Sequence, residues 1–411
     1  MKVSVDDLAL FGGQPSFSQP LHVGGPNIGD RDRFLCRMKD ILDSRVLTNN
    51  GPYVREFESR VADQLGVGHC IATSSGTKAL EVLFRGLDLK GEVIIPGFTF
   101  VATAHALSWL GLTPVFCDVD PRTHNLDPKA LRGAITENVS AILGVHLWGR
   151  PCAIEELTEI ASDHKLPLIF DAAHAFACGC NGRMIGNFGR AEIFSFHATK
   201  FVNSFEGGAI TTNDHQLAMT LRLINNFGIQ NLDEVERLGT NGRMSEASAA
   251  MGTTSLESAH AFIEVNRCNY EKYREQLAGL PGLELLSYTQ ESCNYQYVVV
   301  ELDETISPLN RDLLQAVLWA ENILARRYFY PGCHKMAPYA SLGIRLPETE
   351  RLSQRVISLP TGTGVTPRDV SMICGIVRLA LNMADEVKLQ AGRLQPRSAD
   401  EQRAHAAPGP D

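Results

Sequence analysis

The sequence lacks basic runs that would bind a charged polymer, and its cysteines lack the spacing of a metal site. Of its 411 residues, 38 are Lys or Arg and 47 are Asp or Glu, which gives a net charge of −9. This balance, without a basic run, disfavours a nucleic-acid or anionic-membrane partner. The ten cysteines lack metal-ligand spacing, the nearest pair being Cys178 and Cys180. We therefore expect reduced thiols, no metal site and a cytoplasmic protein.

Long apolar segments are also missing. Residues 1–10 include Asp6 and Asp7 and no apolar core, so we expect no secretion signal in this stretch. Residues 93–117 carry no Asp, Glu, Lys or Arg and are long enough to cross a bilayer. Prolines and glycines interrupt them, which favours a strand, a turn, a helix and a second strand. No membrane partner is expected.

The chain instead alternates short apolar runs with amphipathic stretches between residues 70 and 226. Continuous apolar strands between helices predict an α/β domain whose mostly parallel sheet is covered by helices on both faces. The helical residues 244–280 would connect this domain to a smaller one. We expect four parts: an N-terminal arm at 1–30, a large α/β domain at 31–250, an α+β C-terminal domain at 251–390 and a disordered tail at 391–411.

A candidate phosphate site follows the first apolar run, residues 71–73. Ser75, Gly76 and Thr77 open a helix there, and small residues at a helix start leave backbone N–H groups accessible to a phosphate. Neither Walker spacing nor G-x-G-x-x-G is present, so a nucleoside triphosphate or dinucleotide is not indicated. Ser195 would add a hydroxyl to the same phosphate. A plain Ser/Thr helix cap is the alternative interpretation.

Asp171 closes the apolar run of residues 168–170. The carboxyl ends of parallel strands face the ligand crevice, and a carboxylate there would suit a protonated pyridine nitrogen; a helix cap is the alternative. His174, one turn further on, would contact a ring hydroxyl; the alternative is a purely structural role. Phe100 follows another strand end and would stack on a ring face, or else belong to the core.

Lys200 follows a further apolar run, residues 193–196, and a small-residue turn leads from it into residues 209–212. Burying an unpaired ammonium is costly. A lysine that bonds covalently to a cofactor aldehyde is a functional exception, because low polarity and nearby cations favour the reactive neutral amine. A surface lysine after a strand is the alternative interpretation.

Together, the small-residue helix start, Asp171 and Lys200 resemble, in this chain order, the pyridoxal-phosphate enzymes of fold type I. More narrowly, residues 20–390 are for the most part similar to the DegT-type (DegT/DnrJ/StrS) sugar-nucleotide aminotransferases. This resemblance implies a large domain with a mostly parallel sheet covered by helices plus a small α+β C-terminal domain. The segments that carry it are residues 48–52, 75–77, 96–100, 171–174, 195–200, 206–208, 241–246, 332–339 and 358–360.

The resemblance implies that pyridoxal 5′-phosphate is the cofactor. Lys200 would bind its aldehyde covalently and move the proton during transamination. Asp171 would hold the pyridine nitrogen, Phe100 would stack on the ring and His174 would contact it. The phosphate would be held by Gly76, Thr77 and Ser195.

The resemblance also implies a homodimer with shared active sites, because Asn241 would reach the phosphate of the neighbouring subunit's cofactor. Arg243 and His334 are candidates for substrate contacts. The alternative for these two residues is an exposed or interface position without a role in binding.

Two comparisons within the family refine the expected reaction. A dehydratase branch carries histidine at the position of Lys200, so removal of a hydroxyl is disfavoured. Residues 205–208 read Phe-Glu-Gly-Gly, which is more similar to enzymes that aminate C4 of the sugar than to the Gly-Asp-Gly-Gly typical of C3 amination. Phe227 and Gly242 depart from the usual pattern near the expected substrate side.

The expected function is a ping-pong transamination in which L-glutamate donates its amine to the cofactor. The acceptor would be a nucleotide-linked 4-keto-6-deoxyhexose, most simply dTDP-linked, and the product a 4-amino-4,6-dideoxy sugar nucleotide. The alternatives are C3 amination of a 3-keto sugar nucleotide, amination of a cyclitol ketone from glutamine, and a non-catalytic regulator that binds pyridoxal phosphate.

Overall fold

The central element of the fold is a seven-stranded sheet. A computed structural model describes residues 2–290 and 292–394. The strands are, in chain order, β1 Leu21–His22, β2 His69–Thr73, β3 Glu92–Pro96, β4 Thr113–Cys117, β5 Val139–Val145, β6 Leu168–Asp171, β7 Gly179–Cys180, β8 Arg183–Met184, β9 Ala191–Ser195, β10 Gly208–Thr212, β11 Ile229–Asn231, β12 Glu234–Val235, β13 Leu283–Leu285, β14 Val298–Leu302, β15 Ile323–Leu324 and β16 Val356–Leu359.

The large sheet has the order β2-β10-β9-β6-β5-β3-β4. All neighbouring strands are parallel except β10, which runs antiparallel to both β2 and β9. Its strands are apolar along their whole length because both faces are covered; Ile71, Ile94 and Ile169, for example, are fully buried. This arrangement confirms the predicted α/β class with a mostly parallel sheet.

The α-helices cover both faces of this sheet and build the C-terminal part. They are α1 Arg31–Ser44, α2 Pro52–Leu65, α3 Gly76–Gly86, α4 Val101–Trp109, α5 Pro128–Ala134, α6 Ile154–Asp163, α7 His215–Asn225, α8 Glu246–Glu257, α9 Ala259–Leu277, α10 Arg311–Ala320, α11 Pro347–Arg355, α12 Pro367–Asn382 and α13 Ala384–Ala391. The described helices include none with the length and apolar character needed to span a bilayer. All ten cysteines are free thiols.

The C-terminal part contains a small antiparallel sheet of β13, β14 and β16. Helices α9, α10 and α12 share its apolar core. The start of the chain contributes to the same core, because Val5 and Leu8 are fully buried within it. In addition, β1 pairs with β15 in parallel. The first residues are therefore anchored on the C-terminal part.

The structure shows how the helices lie around the predicted connector and the predicted domain boundary. Residues 244–280, predicted as one connector, form two helices that meet at Ser258, the C-cap of α8 and the N-cap of α9. The predicted domain boundary at residue 250 falls inside α8, which packs against α1 and α2. The division into domains stays a prediction, and the predicted disordered tail lies outside the described residues from position 395 onward.

A carboxylate at the end of β4 links the two parts of the chain. Asp118 accepts hydrogen bonds from the backbone N–H groups of Glu348 (3.0 Å) and Thr349 (2.8 Å) and from the Thr349 hydroxyl (2.8 Å). These N–H groups belong to the first turn of α11, whose own N-cap residue, Leu346, provides no side-chain cap. Asp118 therefore caps α11 from another part of the chain.

We expect Asp118→Ala to lower the free energy of unfolding by about 1–2 kcal/mol, because the first turn of α11 loses its cap. Asp163→Ala is the matched control, since Asp163 is an exposed carboxylate at the end of α6. Urea denaturation of both variants measures the difference. Equal stabilities for the two variants would contradict the role given to Asp118.

Candidate active site

The carboxyl ends of β3, β5, β6 and β9 open on one cavity of about 230 Å³. The large domain contributes most of its lining, and the C-terminal part contributes one wall. Seven predicted site residues line this cavity: Gly76, Thr77, Phe100, Asp171, His174, Ser195 and Lys200. Residues far apart in the sequence are thus brought to the crevice edge where parallel sheets bind their ligands.

The start of α3 forms one end of the cavity. Ser75 is the N-cap of α3 and accepts a hydrogen bond from the N–H of Lys78 at 3.1 Å. Gly76 packs closely on β9, and a Cβ at this position would lie 3.0 Å from the Ser195 Cβ, a contact that would force a small shift. The helix start, together with the Thr77 and Ser195 hydroxyls, is a suitable site for an anion such as a phosphate.

Asp171 ends β6 and is 7% exposed. Its carboxylate accepts hydrogen bonds from the Thr103 hydroxyl at 3.1 Å and from the Ala173 N–H at 3.0 Å. Burial nevertheless raises the pKa of Asp171, against the effect of these bonds and of the Lys200 charge. The chain continues into turns and not into a helix, so the helix-cap alternative is wrong. A cation in the cavity would stabilise this carboxylate.

His174 lines the same wall and is buried. The backbone N–H of Trp148 donates a hydrogen bond to Nδ1 of His174 at 3.3 Å. This bond assigns the ring proton of the neutral imidazole to Nε2. Burial, and secondarily the charge of Lys200, hold the pKa of His174 well below its usual value. The side chain is therefore a neutral ring with one N–H donor.

Lys200 lies in the turn that follows β9, five positions after the strand ends at Ser195. Its Nζ is 3.3 Å from the hydroxyl of Tyr297. Burial lowers the pKa of Lys200 to about 8; the charge of Asp171 acts in the opposite direction and that of Arg326 in the same direction. In a fraction of the protein molecules Lys200 is consequently a neutral, nucleophilic amine near neutral pH. The alternative of an ordinary surface lysine is wrong.

Phe100 is the N-cap residue of α4 and is 47% exposed. Its ring lines the cavity and is not part of the core, so the alternative interpretation for this residue is wrong. An exposed ring at the cavity wall can stack on a flat ligand.

The sequence analysis missed the wall that the C-terminal part contributes. This wall consists of Tyr297, directly before β14, and of Arg326, Tyr328 and Phe329, which follow β15. Arg326 is fixed by two backbone hydrogen bonds with Ser358, at 3.1 and 2.9 Å. The available signal was the run of residues 326–330, in which two arginines precede three aromatic side chains.

Two predicted residues lie outside the cavity on the chain's own surface. Asn241 is exposed, and its Oδ1 accepts a hydrogen bond from the Arg243 guanidinium at 3.3 Å. Arg243 also donates to Asn226 at 3.0 Å and lies 5.0 Å from the ring of Phe227. The contact of Asn241 with the neighbouring subunit's cofactor and the substrate contact of Arg243 both stay predictions.

His334 does not lie at the cavity, in contrast to the predicted substrate contact. Its side chain is buried beside Phe116, with Nε2 3.3 Å from a Glu350 oxygen, and Nδ1 has no hydrogen-bond partner among the described residues. The backbone N–H of Cys333 donates a hydrogen bond to the Gly97 carbonyl at 2.9 Å. This bond holds the segment with its His334 side chain directed into the protein interior. Neither predicted alternative, an exposed or an interface position, describes its place in this chain.

The fold and the cavity together define an α/β protein whose cavity offers an anion site next to an amine of lowered pKa. The sequence profile of the DegT/DnrJ/EryC1/StrS aminotransferase family matches residues 30–378. The chain therefore belongs to this family of aminotransferases, as the sequence analysis expected.

Individual relatives agree with this assignment. The dTDP-4-amino-4,6-dideoxy-D-glucose transaminase of Shigella dysenteriae is 35% identical over 364 residues, which are 88% of this chain and 99% of that protein. A UDP-2-acetamido-2-deoxy-3-oxo-D-glucuronate aminotransferase of Pseudomonas aeruginosa is 33% identical over 82% of this chain and 96% of that protein. The structure of DesI, determined in the presence of its TDP-sugar product, superimposes with a TM-score of 0.92 at 49% identity and covers 95% of this chain and 100% of DesI.

We expect the amine of Lys200 to titrate near pH 8 in the cofactor-free protein. Asp171→Asn should move this midpoint to lower pH, because the carboxylate charge raises the pKa of Lys200. The pH dependence of the rate at which the protein captures pyridoxal, followed by absorbance, measures the midpoint. Asp163→Asn, a change of an exposed side chain at the end of α6, should leave it unchanged. A midpoint near pH 10.5 in the unmodified protein would contradict the burial of this amine.

Proposed function

We propose that this protein is a pyridoxal-phosphate-dependent aminotransferase that transfers the amino group of L-glutamate to C4 of a dTDP-linked 4-keto-6-deoxyhexose. The product is a 4-amino-4,6-dideoxy sugar nucleotide. The observation that carries the proposal is the joint position of Lys200, Asp171 and the start of α3 on one cavity. The names of the Shigella relative and of DesI, which refer to dTDP- and TDP-sugars, support the choice of substrate.

The residues of the cavity fit pyridoxal phosphate. The phosphate dianion matches the N–H groups of α3 and the hydroxyls of Thr77 and Ser195. A protonated pyridine nitrogen is a cation that would stabilise the buried carboxylate of Asp171. The N–H of His174 is a donor for a ring oxygen. Phe100 offers a face for ring stacking. The lowered pKa of Lys200 favours attack of its Nζ on the aldehyde.

When bound, pyridoxal phosphate supplies the electron sink that makes the α-proton of the amine donor acidic. Lys200 removes this proton from the donor carbon with its neutral Nζ and returns it from the ammonium form. Asp171 keeps the proton on the ring nitrogen through its fixed carboxylate. Burial of the reacting groups restricts the access of water to them.

A homodimer with shared active sites is part of the proposal. The exposed Asn241 and the half-buried Arg243 are hydrogen-bonded to each other outside the chain's own cavity, where Asn241 is available to a second copy. Nearby, Leu232 is 99% exposed, Val235 66% and Leu238 74%, and neighbouring apolar side chains at such exposure favour burial in an interface.

C3 amination is the second candidate, because the Pseudomonas aeruginosa relative carries a 3-oxo sugar in its name. The Phe-Glu-Gly-Gly sequence at residues 205–208, whose Glu206 lines the cavity, favours C4. The two candidates differ in the position of one ketone and are separated by the substrate offered.

The assay combines purified protein, pyridoxal phosphate and L-glutamate with dTDP-4-keto-6-deoxyglucose. We expect 2-oxoglutarate and a 4-amino sugar nucleotide in equal amounts, detected by coupled absorbance and mass spectrometry. Parallel reactions use the 3-keto isomer as acceptor and L-glutamine as donor. Lys200→Ala should reduce turnover by at least about 10³-fold, since it removes the proton carrier. Absence of 2-oxoglutarate in the 4-keto reaction would refute the proposal.

A further inference from the structure

Tyr297 is a second functional group next to Lys200 that sequence motifs did not indicate. It belongs to the C-terminal part, directly precedes β14 and is 4% exposed. Its hydroxyl lies 3.3 Å from Nζ of Lys200, within hydrogen-bonding distance. A buried tyrosine hydroxyl needs a polar partner, and for this one the partner is the proposed reacting atom of the site.

The tyrosine ring is held from several sides, so its hydroxyl has a defined position. The ring centroid lies 4.4 Å from that of His174 and 5.3 Å from that of Trp148. The backbone carbonyl of Tyr297 accepts a hydrogen bond from the Tyr288 hydroxyl at 2.6 Å. Asn294, three residues earlier, donates to the His174 carbonyl at 2.9 Å. The segment is thereby attached to the large-domain wall that carries His174.

The protonation states of the two groups suit each other. Burial raises the pKa of Tyr297 well above its usual value, so its hydroxyl stays protonated over the whole working range of pH. A neutral hydroxyl accepts a hydrogen bond from an ammonium and donates one to an amine. Lys200, with a pKa of about 8, adopts both forms during transamination, and the same hydroxyl satisfies each of them.

We propose that Tyr297 is a catalytic residue that holds Nζ of Lys200 in place while this nitrogen gains and loses the transferred proton. The proposal rests on the proton-carrying role given to Lys200 under the proposed function. The carbon–hydrogen bond of the donor breaks as the Nζ–H bond forms, and the reverse occurs at the second carbon. Tyr297 keeps its own proton throughout, so the step needs no further acid, base or oxidant.

A hydroxyl that steadies the proton carrier serves both half-reactions, whereas a group that recognises one substrate serves one of them. Tyr297→Phe removes the hydroxyl and keeps the ring that packs on His174 and Trp148. We expect it to slow both half-reactions by a similar factor of at least about tenfold. With α-deuterated glutamate, the slowed first half-reaction should show a primary isotope effect, because proton transfer then limits the rate.

The experiment uses the holoenzyme and rapid-mixing absorbance of the cofactor, first with L-glutamate and then with the keto sugar. Tyr339→Phe is the matched control: it removes another partly buried hydroxyl, which contacts Ser108 at 3.2 Å outside the cavity, and should leave both rates within twofold. Tyr297→His, which keeps a ring able to donate and accept, should be faster than Tyr297→Phe and also tests the proposal if the phenylalanine variant folds poorly.

Three results would overturn the assignment. They are rates within twofold of the unmodified protein in Tyr297→Phe, slowing confined to one half-reaction, and loss of cofactor binding in a folded variant. Failure of the proposed function is separate from these outcomes, because an inactive keto-sugar reaction leaves the glutamate half-reaction measurable. A Lys200→Ala protein that still exchanges the glutamate α-proton would remove the basis of both.

Discussion

The candidate site depends on two ionisable groups withdrawn from water beside one cavity, the buried Asp171 and the half-buried Lys200. Each is costly to bury alone, and their pKa values move in the directions that burial dictates, upward for the carboxyl and downward for the amine. Hydrogen bonds from Thr103, from Ala173 and with Tyr297 offset part of this cost. The result is a carboxyl that favours a cationic partner and an amine with substantial nucleophilic character near neutral pH.

The topology of the chain makes this arrangement possible. Strands β6 and β9 are parallel neighbours in the centre of the large sheet, so their carboxyl ends meet at one edge and bring Asp171, Ser195 and the turn with Lys200 together. Strand β10 runs antiparallel to both β2 and β9, so β2 points in the same direction as β9. The start of α3, which follows β2, therefore lies at the same edge of the sheet. The C-terminal part completes the cavity with Tyr297, Arg326, Tyr328 and Phe329.

Sequence analysis predicted those site residues that lie at recognisable local patterns, such as strand ends and helix starts. Asp171 ends an apolar strand, Lys200 follows another, and Gly76 with Thr77 opens a helix after a third. Each signal was weak by itself, and their order in the chain, through its family resemblance, located this half of the cavity. Tyr297 and Arg326 belong to the C-terminal part of the chain, and tertiary packing brings this part to the cavity. The spacing of residues in the sequence does not indicate such packing. The sequence also did not indicate that His334 lies away from the cavity, because the position of its segment depends on a backbone hydrogen bond from Cys333 to Gly97. The break at Ser258 has no glycine or proline to indicate it.

The central claim is that Lys200, and no other lysine, forms the covalent bond to pyridoxal phosphate. Borohydride reduction of the protein with bound cofactor, followed by proteolysis and mass spectrometry of the peptides, tests it most directly. The account predicts the reduced phosphopyridoxyl group on the peptide that contains Lys200, at one group per chain. Modification of a different lysine, or a protein that stays unmodified at saturating cofactor, would contradict it.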